Sequence, residues 1–384
     1  MKIGITCYPT YGGSGAIATE LGLKLAERGH ETHFISYAQP FRFEGFKERV
    51  YLHEVEMDSY PLFDHPPYTL ALAAAIHDTV VREGLDIVHV HYAIPHATSA
   101  WVALQMLGER DAPPLVTTLH GTDVTLVGLY PSFHEITRFS ILKSQGITAV
   151  STFLKDVTER DFGVPAGRIR VIPNFVDTER FRRDREPCHR STLAPSGERI
   201  LMHVSNFRPV KRVVDIIEIF AGIQQEAAVR LVMVGDGPDR PKAAARAKEL
   251  GVAEDVVFLG KHASVYELLA CADLFLMTSE SESFGLAALE ALACGAPVVG
   301  YQAGGMTEVV PHGEAGYLVP VGDIPGATQA AIELLKNEDR WEEFSRAGRA
   351  LAVEKYSVDR VLPAYEDYYE EVLRGGEPGV RAAS

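Results

Sequence analysis

The chain of 384 residues lacks several things, and each absence narrows the reading. It has four cysteines, Cys7, Cys188, Cys271 and Cys294, with no Cys-x-x-Cys pair. Nothing there resembles a disulfide framework, and the residues read as small buried hydrophobes in a reducing compartment, which fits the cytoplasm. No apolar run reaches the ~18 residues of a membrane span. The start, Met1-Lys2-Ile3-Gly4-Ile5-Thr6-Cys7, has too short an apolar core for a signal peptide. There is no Lys/Arg run, and the formal net charge is −15, which argues against nucleic acid as a partner. A composition of 46% hydrophobic and 23% charged residues is that of a soluble globular protein, and the length calls for more than one core.

What is present is alternation. Short β-branched runs alternate with helical patterns, the signature of a parallel sheet covered on both faces. In the first half, strands are expected near Lys2–Cys7, Thr32–Ser36, Val50–Glu54, Ile87–His91, Leu115–Leu119, Ile147–Val150 and Ile169–Ile172. Helices fit Ala16–Arg28, Tyr68–Arg82, Pro95–Leu107 and Ser132–Ser144. A polar, irregular stretch from Asp177 to Arg199 interrupts the pattern. It restarts with strands near Ile200–Ser205, Leu231–Val234, Val256–Leu259, Leu274–Met277 and Pro297–Gly300. The expected fold is α/β, two doubly wound Rossmann-like domains, 1–176 and 177–360. Residues 361–384 form a terminal helix, which packs on the second sheet or crosses back to the first, and a tail expected to be unordered from Gly375. Ligands of such sheets bind beyond the C-terminal strand ends, so the site is expected in a cleft where the domains face each other.

The richest stretch is Glu282-Ser283-Phe284-Gly285-Leu286-Ala287-Ala288-Leu289-Glu290. A short buried strand precedes it, and a helix follows, stopped by Gly295 and Pro297. Glu282 therefore lies on a loop at a strand's C-terminal end, and Glu290 about a turn inside the helix. The N–H groups of Phe284, Gly285 and Leu286 form an anion site at the helix start. Each carboxylate suits a pair of vicinal hydroxyls. One sugar ring beside each acid, with phosphate between, describes a nucleotide sugar. The plain alternative is an acidic helix start that favours the dipole.

Other stretches converge on strand ends. Gly12-Gly13-Ser14-Gly15 follows the first strand. It formally fits a dinucleotide fingerprint, but the second strand ends Phe34-Ile35-Ser36 with no acid for a ribose. It reads better as a glycine loop approaching a phosphate or an acceptor. Ser205-Asn206-Phe207-Arg208-Pro209-Val210-Lys211 leaves the first strand of the second half. Two cations at a helix start oppose its dipole, which favours a role as counter-charge for a diphosphate. No Asp-x-Asp occurs to hold a metal on such a diphosphate, so Arg208 and Lys211 are expected to replace the ion. His89 and His91 share a strand face but lack a third metal ligand, so no metal site is expected. His91, Tyr92 and His96 are expected to line the cleft, with His120 poised over it after Thr118 and Leu119. Arg138, on the following helix, is either a surface residue or the partner of an anionic acceptor.

Together, Gly12-Gly13-Ser14-Gly15, the His120 strand end, Arg208/Lys211 and Glu282-x7-Glu290 resemble the retaining glycosyltransferases of the GT-B fold over essentially the whole chain. Ile5-Thr6-Cys7-Tyr8-Pro9, His91-Tyr92-Ala93-Ile94-Pro95-His96, Thr118-Leu119-His120-Gly121-Thr122-Asp123 and His203-Val204-Ser205-Asn206-Phe207-Arg208 are similar to the branch that moves N-acetylglucosamine from its UDP donor to L-malate, the first step of bacillithiol biosynthesis. The resemblance implies that Glu290 holds the ribose. Glu282 and the Phe284, Gly285 and Leu286 backbone would hold the sugar, and Arg208 and Lys211 the diphosphate, with Gly15 and Asn206 completing the donor set. His120 joins Arg208, Lys211 and Glu282 as the catalytic group. Gly13, Ser14, Tyr92, Thr118 and Arg138 are the acceptor candidates. No cofactor or metal is implied, and homo-oligomerisation is left open. Three rivals remain: a UDP-sugar epimerase of the same architecture, a silent sugar-nucleotide-binding module, and a dinucleotide-dependent dehydrogenase.

Overall fold

The computed structural model describes residues 1–9, 12–43, 45–57, 66–108, 111–184 and 189–375. Cys188 and the tail beyond Gly375 lie outside them. The chain divides into two compact units, Met1–Pro173 with the segment from Val361 onward, and Asn174–Arg360. Val176 belongs to the second because it bridges Ser357 and donates its N–H to the Tyr356 carbonyl (2.9 Å).

The first unit carries strands β1 (Lys2–Thr6), β2 (Glu31–Ser36), β3 (Val50–Glu54), β4 (Ile87–His91), β5 (Leu115–Leu119), β6 (Gly146–Ala149) and β7 (Ile169–Val171). They run parallel in the order β3-β2-β1-β4-β5-β6-β7. β4 (Ile-Val-His-Val-His) and β5 (Leu-Val-Thr-Thr-Leu) are buried along their whole length because the sheet is covered on both faces, so their histidines and threonines lie inside the unit. The Gly13–Glu27 helix buries Ile17, Leu21 and Leu25 on one stripe.

The terminal Val358–Leu373 helix carries its apolar and tyrosine face into this unit from Val361 on. Tyr368 Oη accepts from the Ile147 N–H (2.7 Å) and donates to the Ile147 carbonyl (3.0 Å). One buried hydroxyl thus satisfies two backbone groups at β6.

The second unit holds β8 (Arg199–Val204), β9 (Val229–Val234), β10 (Val256–Gly260), β11 (Leu274–Met277), β12 (Val298–Tyr301) and β13 (Gly316–Val319), parallel in the order β10-β9-β8-β11-β12-β13. β13 was not anticipated, being four residues between polar loops. The arginine-rich stretch after Asp177 has a structural task. Arg183, Arg190 and Arg199 reach the buried Asp273 carboxylate at 2.9, 2.6 and 3.7 Å, and Trp341 Nε1 donates to the Asp273 carbonyl (2.7 Å). A buried charge left unpaired would be strongly destabilising, so the cluster fastens the segment to the start of β11.

In each sheet the strand order reverses once, between β1 and β4 and between β8 and β11. Both reversals open a crevice beyond the C-terminal strand ends, where open α/β sheets bind ligands.

Candidate active site

At the β8/β11 reversal, two loops are laced together. Thr278 Oγ1, just past β11, donates to the Lys211 and Arg212 carbonyls (3.0 and 3.1 Å), and the Glu280 N–H donates to Val210 (3.0 Å). This lacing brings the Lys211 ammonium onto the Glu282 carboxylate, a pair largely shielded from solvent. Arg208 starts the one-turn Pro209–Lys211 helix, is exposed, and has no ion pair among the described residues. Two groups sequence reading assigned to neighbouring parts of one ligand are therefore in contact, and a third stands beside them unpaired.

The loop after β8 is set from below. Burial holds His203 neutral, with its pKa down to about 4. Its Nδ1–H donates to the Leu276 carbonyl (2.8 Å), so its Nε2 accepts from the Ser205 hydroxyl (2.7 Å), which in turn accepts the Phe207 N–H (3.2 Å). The β9 loop presses against this turn. A Cβ at Gly235 or Gly237 would lie 1.8 Å from the Ser205 carbonyl oxygen or 2.0 Å from that of Asn206. Only glycine permits that approach. Asn206 Oδ1 and Ser279 Oγ are buried here without a hydrogen-bond partner among the described residues, the condition of groups awaiting a polar ligand. Asn206 was expected. Ser279 and the Gly235/Gly237 loop were missed, although the Gly-Asp-Gly at the end of a predicted strand was a readable signal.

The Leu286–Ala293 helix starts at Gly285, which holds φ +98°, a conformation that favours glycine. The N–H groups of Phe284, Gly285 and Leu286 make no hydrogen bond among the described residues. The Phe284 ring is buried edge-on to Tyr356 (5.7 Å), and the Glu282 carbonyl accepts from Gly305 (2.8 Å), which fixes the turn. Glu290 sits one turn in, 4% exposed, close enough to Cys294 to help burial raise that thiol's pKa.

At the β1/β4 reversal the chemistry is different. Gly13, Ser14 and Gly15 form the first turn of the first helix, capped by no side chain. Ser14 Oγ bonds Tyr92 Oη (2.8 Å) across the reversal. Tyr92 holds φ +91°, a strained conformation for a tyrosine, and burial pushes its pKa up to about 12. His120, just past β5, is half-buried, and enclosure takes its pKa down to about 3. Its Nε2 meets His91 Nδ1 at 2.8 Å. The Asp123 carboxylate accepts from the backbone N–H groups of Ala93 (2.9 Å), Gly121 (2.9 Å) and His120 (3.3 Å), tying the β4 and β5 loops together.

Two expectations are corrected here, and a third is left open. Thr118 is fully buried, bonded to His89 Nε2 (2.7 Å) and Thr148 Oγ1 (2.6 Å), so it supports the histidine layer from inside. His91 and His96 are also fully buried and line no surface. The reason for Thr118 and His91 is that β4 and β5 are covered on both faces, so a residue near their C-terminal ends is buried whichever way it points. Arg138 is exposed on the Pro131–Leu142 helix, its Nε donating to the Phe162 carbonyl (3.0 Å), with no ion pair among the described residues.

A carboxylate pair spaced along a loop and helix, with amides and a cation unpaired among the described residues at the reversal of a doubly wound sheet, suits a sugar nucleotide. Residues 184–351 match the family model of glycosyl transferases group 1, and residues 11–180 that of glycosyltransferase family 4. The chain belongs to the glycosyltransferases of GT-B fold and is a sugar-nucleotide-dependent transferase. It is 46% identical over 381 residues, 99% of each chain, to N-acetyl-alpha-D-glucosaminyl L-malate synthase of Bacillus anthracis. It is 26% identical over 310 residues, 77% of this chain and 73% of the other, to 2-deoxystreptamine N-acetyl-D-glucosaminyltransferase of Streptomyces fradiae. Among solved structures, a sucrose-phosphate synthase from Thermosynechococcus elongatus superposes with a TM-score of 0.80 at 20% identity, covering 98% and 100% of the two chains. Anabaena HepE in complex with UDP and glucose gives 0.79 at 20% identity, covering 96% and 99%. At that identity these two speak for the fold alone.

Proposed function

We propose that this enzyme transfers N-acetylglucosamine from UDP-N-acetylglucosamine to the hydroxyl of L-malate with retention at the anomeric carbon, as the first step of bacillithiol biosynthesis in the cytoplasm. The observation that carries the reading is the end-to-end likeness to a protein named for that product. No helix among the described residues is long and apolar enough to cross a membrane, in keeping with small soluble substrates.

In this reading Glu290 binds the nucleotide ribose. Glu282 and the Phe284–Leu286 amides bind the transferred sugar, with Asn206 and Gly15 in support. Arg208 and Lys211 neutralise the diphosphate in place of a metal ion. Lys211 and Glu282, paired in the free enzyme, exchange each other for the phosphate and sugar groups of the donor. Ser14, Tyr92, Gly13 and Arg138 serve the malate. The bond from the anomeric carbon to the diphosphate oxygen breaks, and the malate oxygen bonds to that carbon on the same face. The malate proton passes to the departing oxygen, so no protein nucleophile is needed. Catalysis rests on stabilising the leaving charge and on orientation. His120, neutral at physiological pH, contributes a hydrogen bond to the reacting sugar rather than a charge.

The test is to incubate the enzyme with UDP-N-acetylglucosamine and a panel of acceptors, reading UDP release and product mass. Glycoside of malate with retained configuration is the expected product. Interconversion of UDP-sugars without acceptor would replace the reading with an epimerase. Preference for a neutral sugar acceptor would leave the transferase and remove malate.

A further inference from the structure

Behind His120 lies a layer of side chains that the proposed chemistry does not use. His91 ends β4, is fully buried, and stacks between His89 and His120 at centroid distances of 4.5 and 5.0 Å. Its Nδ1 faces His120 Nε2 at 2.8 Å, while its Nε2 is buried with no hydrogen-bond partner among the described residues. Two neutral imidazoles in contact share one proton, so one ring donates and the other accepts. If His120 donated, the remaining proton of His91 would sit on the orphaned Nε2, a buried N–H with no acceptor. If His91 donates, the orphan is only a lone pair. Orphaned buried N–H groups are the rarer and costlier of the two. His120 Nε2 is then the acceptor, and its proton sits on Nδ1, which makes no hydrogen bond among the described residues.

We infer that His91 is a positioning residue that locks His120 in the tautomer carrying its proton on Nδ1, so that His120 offers the substrate a hydrogen-bond donor and never a lone-pair base. The inference rests on the catalytic place given to His120 above. Which ring nitrogen of a histidine is free for chemistry is set by the bond its other nitrogen makes. The ring is oriented as well as protonated in this way. The Asp123 carboxylate holds the His120 backbone N–H (3.3 Å), and the His91 imidazole holds the far end of the side chain. His91 is itself held by its strand and by His96, whose Nδ1–H donates to the His91 carbonyl (2.5 Å).

The experiment combines imidazole ¹⁵N spectra of the free enzyme with kinetics of two variants. His120→Asn identifies the His120 signals. The native enzyme should show His120 protonated on Nδ1, and His91→Phe should lose that pattern. His91→Phe should lower kcat roughly 10- to 1,000-fold, up to the scale for losing a preorganised donor, with the KM for UDP-N-acetylglucosamine unchanged. His91→Asn keeps an N–H where Nδ1–H stands and should restore most of kcat. A native His120 protonated on Nε2, or a folded His91→Phe with native kcat, overturns the inference. So does a folded His91→Asn as damaged as His91→Phe. If His91→Phe does not fold, the native spectrum and His91→Asn still decide. If the native enzyme makes no malate glycoside, the proposed function fails, while the spectra continue to test the tautomer.

Discussion

The two units have the same architecture and the same single reversal of strand order, yet they fill their crevices with opposite chemistry. The second unit places formal charge there: the Lys211–Glu282 pair, the exposed Arg208 and the buried Glu290. The first unit places neutral imidazoles and hydroxyls there, with the Asp123 carboxylate spent on backbone N–H groups. The difference teaches how one scaffold serves two tasks. A nucleotide diphosphate needs fixed counter-charge, whereas a reacting centre needs oriented dipoles in a site where burial has removed competing charge.

The widest test of this contrast is acid. Burial lowers His89 and His120 to about 3 and His96 to about 4, all in the first unit, against His203 at about 4 in the second. A histidine whose pKa is lower folded than unfolded binds its proton more readily when unfolded. Its stabilising contribution is complete above 6.5 and is lost as pH falls toward 4. Asp123, whose pKa is raised by burial, offsets this only in part. Hydrogen exchange at pH 7 and pH 5 should show protection lost first in β4 and β5. Earlier loss in β8 and β11 would break the contrast.

Next in size is Arg208→Ala, expected to cost about 2–4 kcal/mol in kcat/KM, the scale for one preorganised charge partner. Stability should be unchanged, because Arg208 has no ion pair among the described residues. Native activity should survive excess EDTA. Activity lost to EDTA and restored by Mg²⁺ would show that the arginine and lysine do not replace a metal.

Arg138→Ala should raise the KM for malate by roughly one to three orders of magnitude through loss of a charge-assisted partner, with the donor KM little changed. Untouched malate kinetics would move the acceptor charge to another residue. Within the donor group, Glu290→Gln should weaken both UDP and UDP-N-acetylglucosamine in calorimetry, while Glu282→Gln should spare UDP. Equal loss in both would erase the separation of roles. The smallest effect is Tyr369→Phe, which removes the bond to His89 Nδ1 (2.7 Å) and should lower stability by about 1 kcal/mol in urea denaturation. Denaturation unchanged from native would show that this bond adds nothing net.

The donor group was legible because its geometry is local. Glu282, Gly285 and Glu290 belong to one strand–loop–helix segment, so a short loop and one turn of helix set where the second acid lies relative to the first. Arg208 and Lys211 likewise follow one strand end. The Lys211–Glu282 contact was not legible, since 71 residues separate the partners. Thr118 and His91 misled because β4 and β5 are covered on both faces, so standing near a strand's C-terminal end did not bring them to a surface.

By itself, then, the sequence determined the alternation of strands and helices, the two parallel sheets, and the acids and cations at strand ends. These are set by periodicity and by residues within a turn or two of each other. Only the tertiary structure decided how the first unit's crevice is built. His91 meets His120 from an adjacent strand, and the terminal helix brings Tyr369 to His89 across 280 residues. It also gave the arginine-rich stretch its purpose, by gathering three guanidinium groups on Asp273. The reason is physical: hydrogen bonds and ion pairs between distant segments depend on which strands become neighbours and which faces turn inward. Those are fixed by packing the whole sheet, not by any local run of residues.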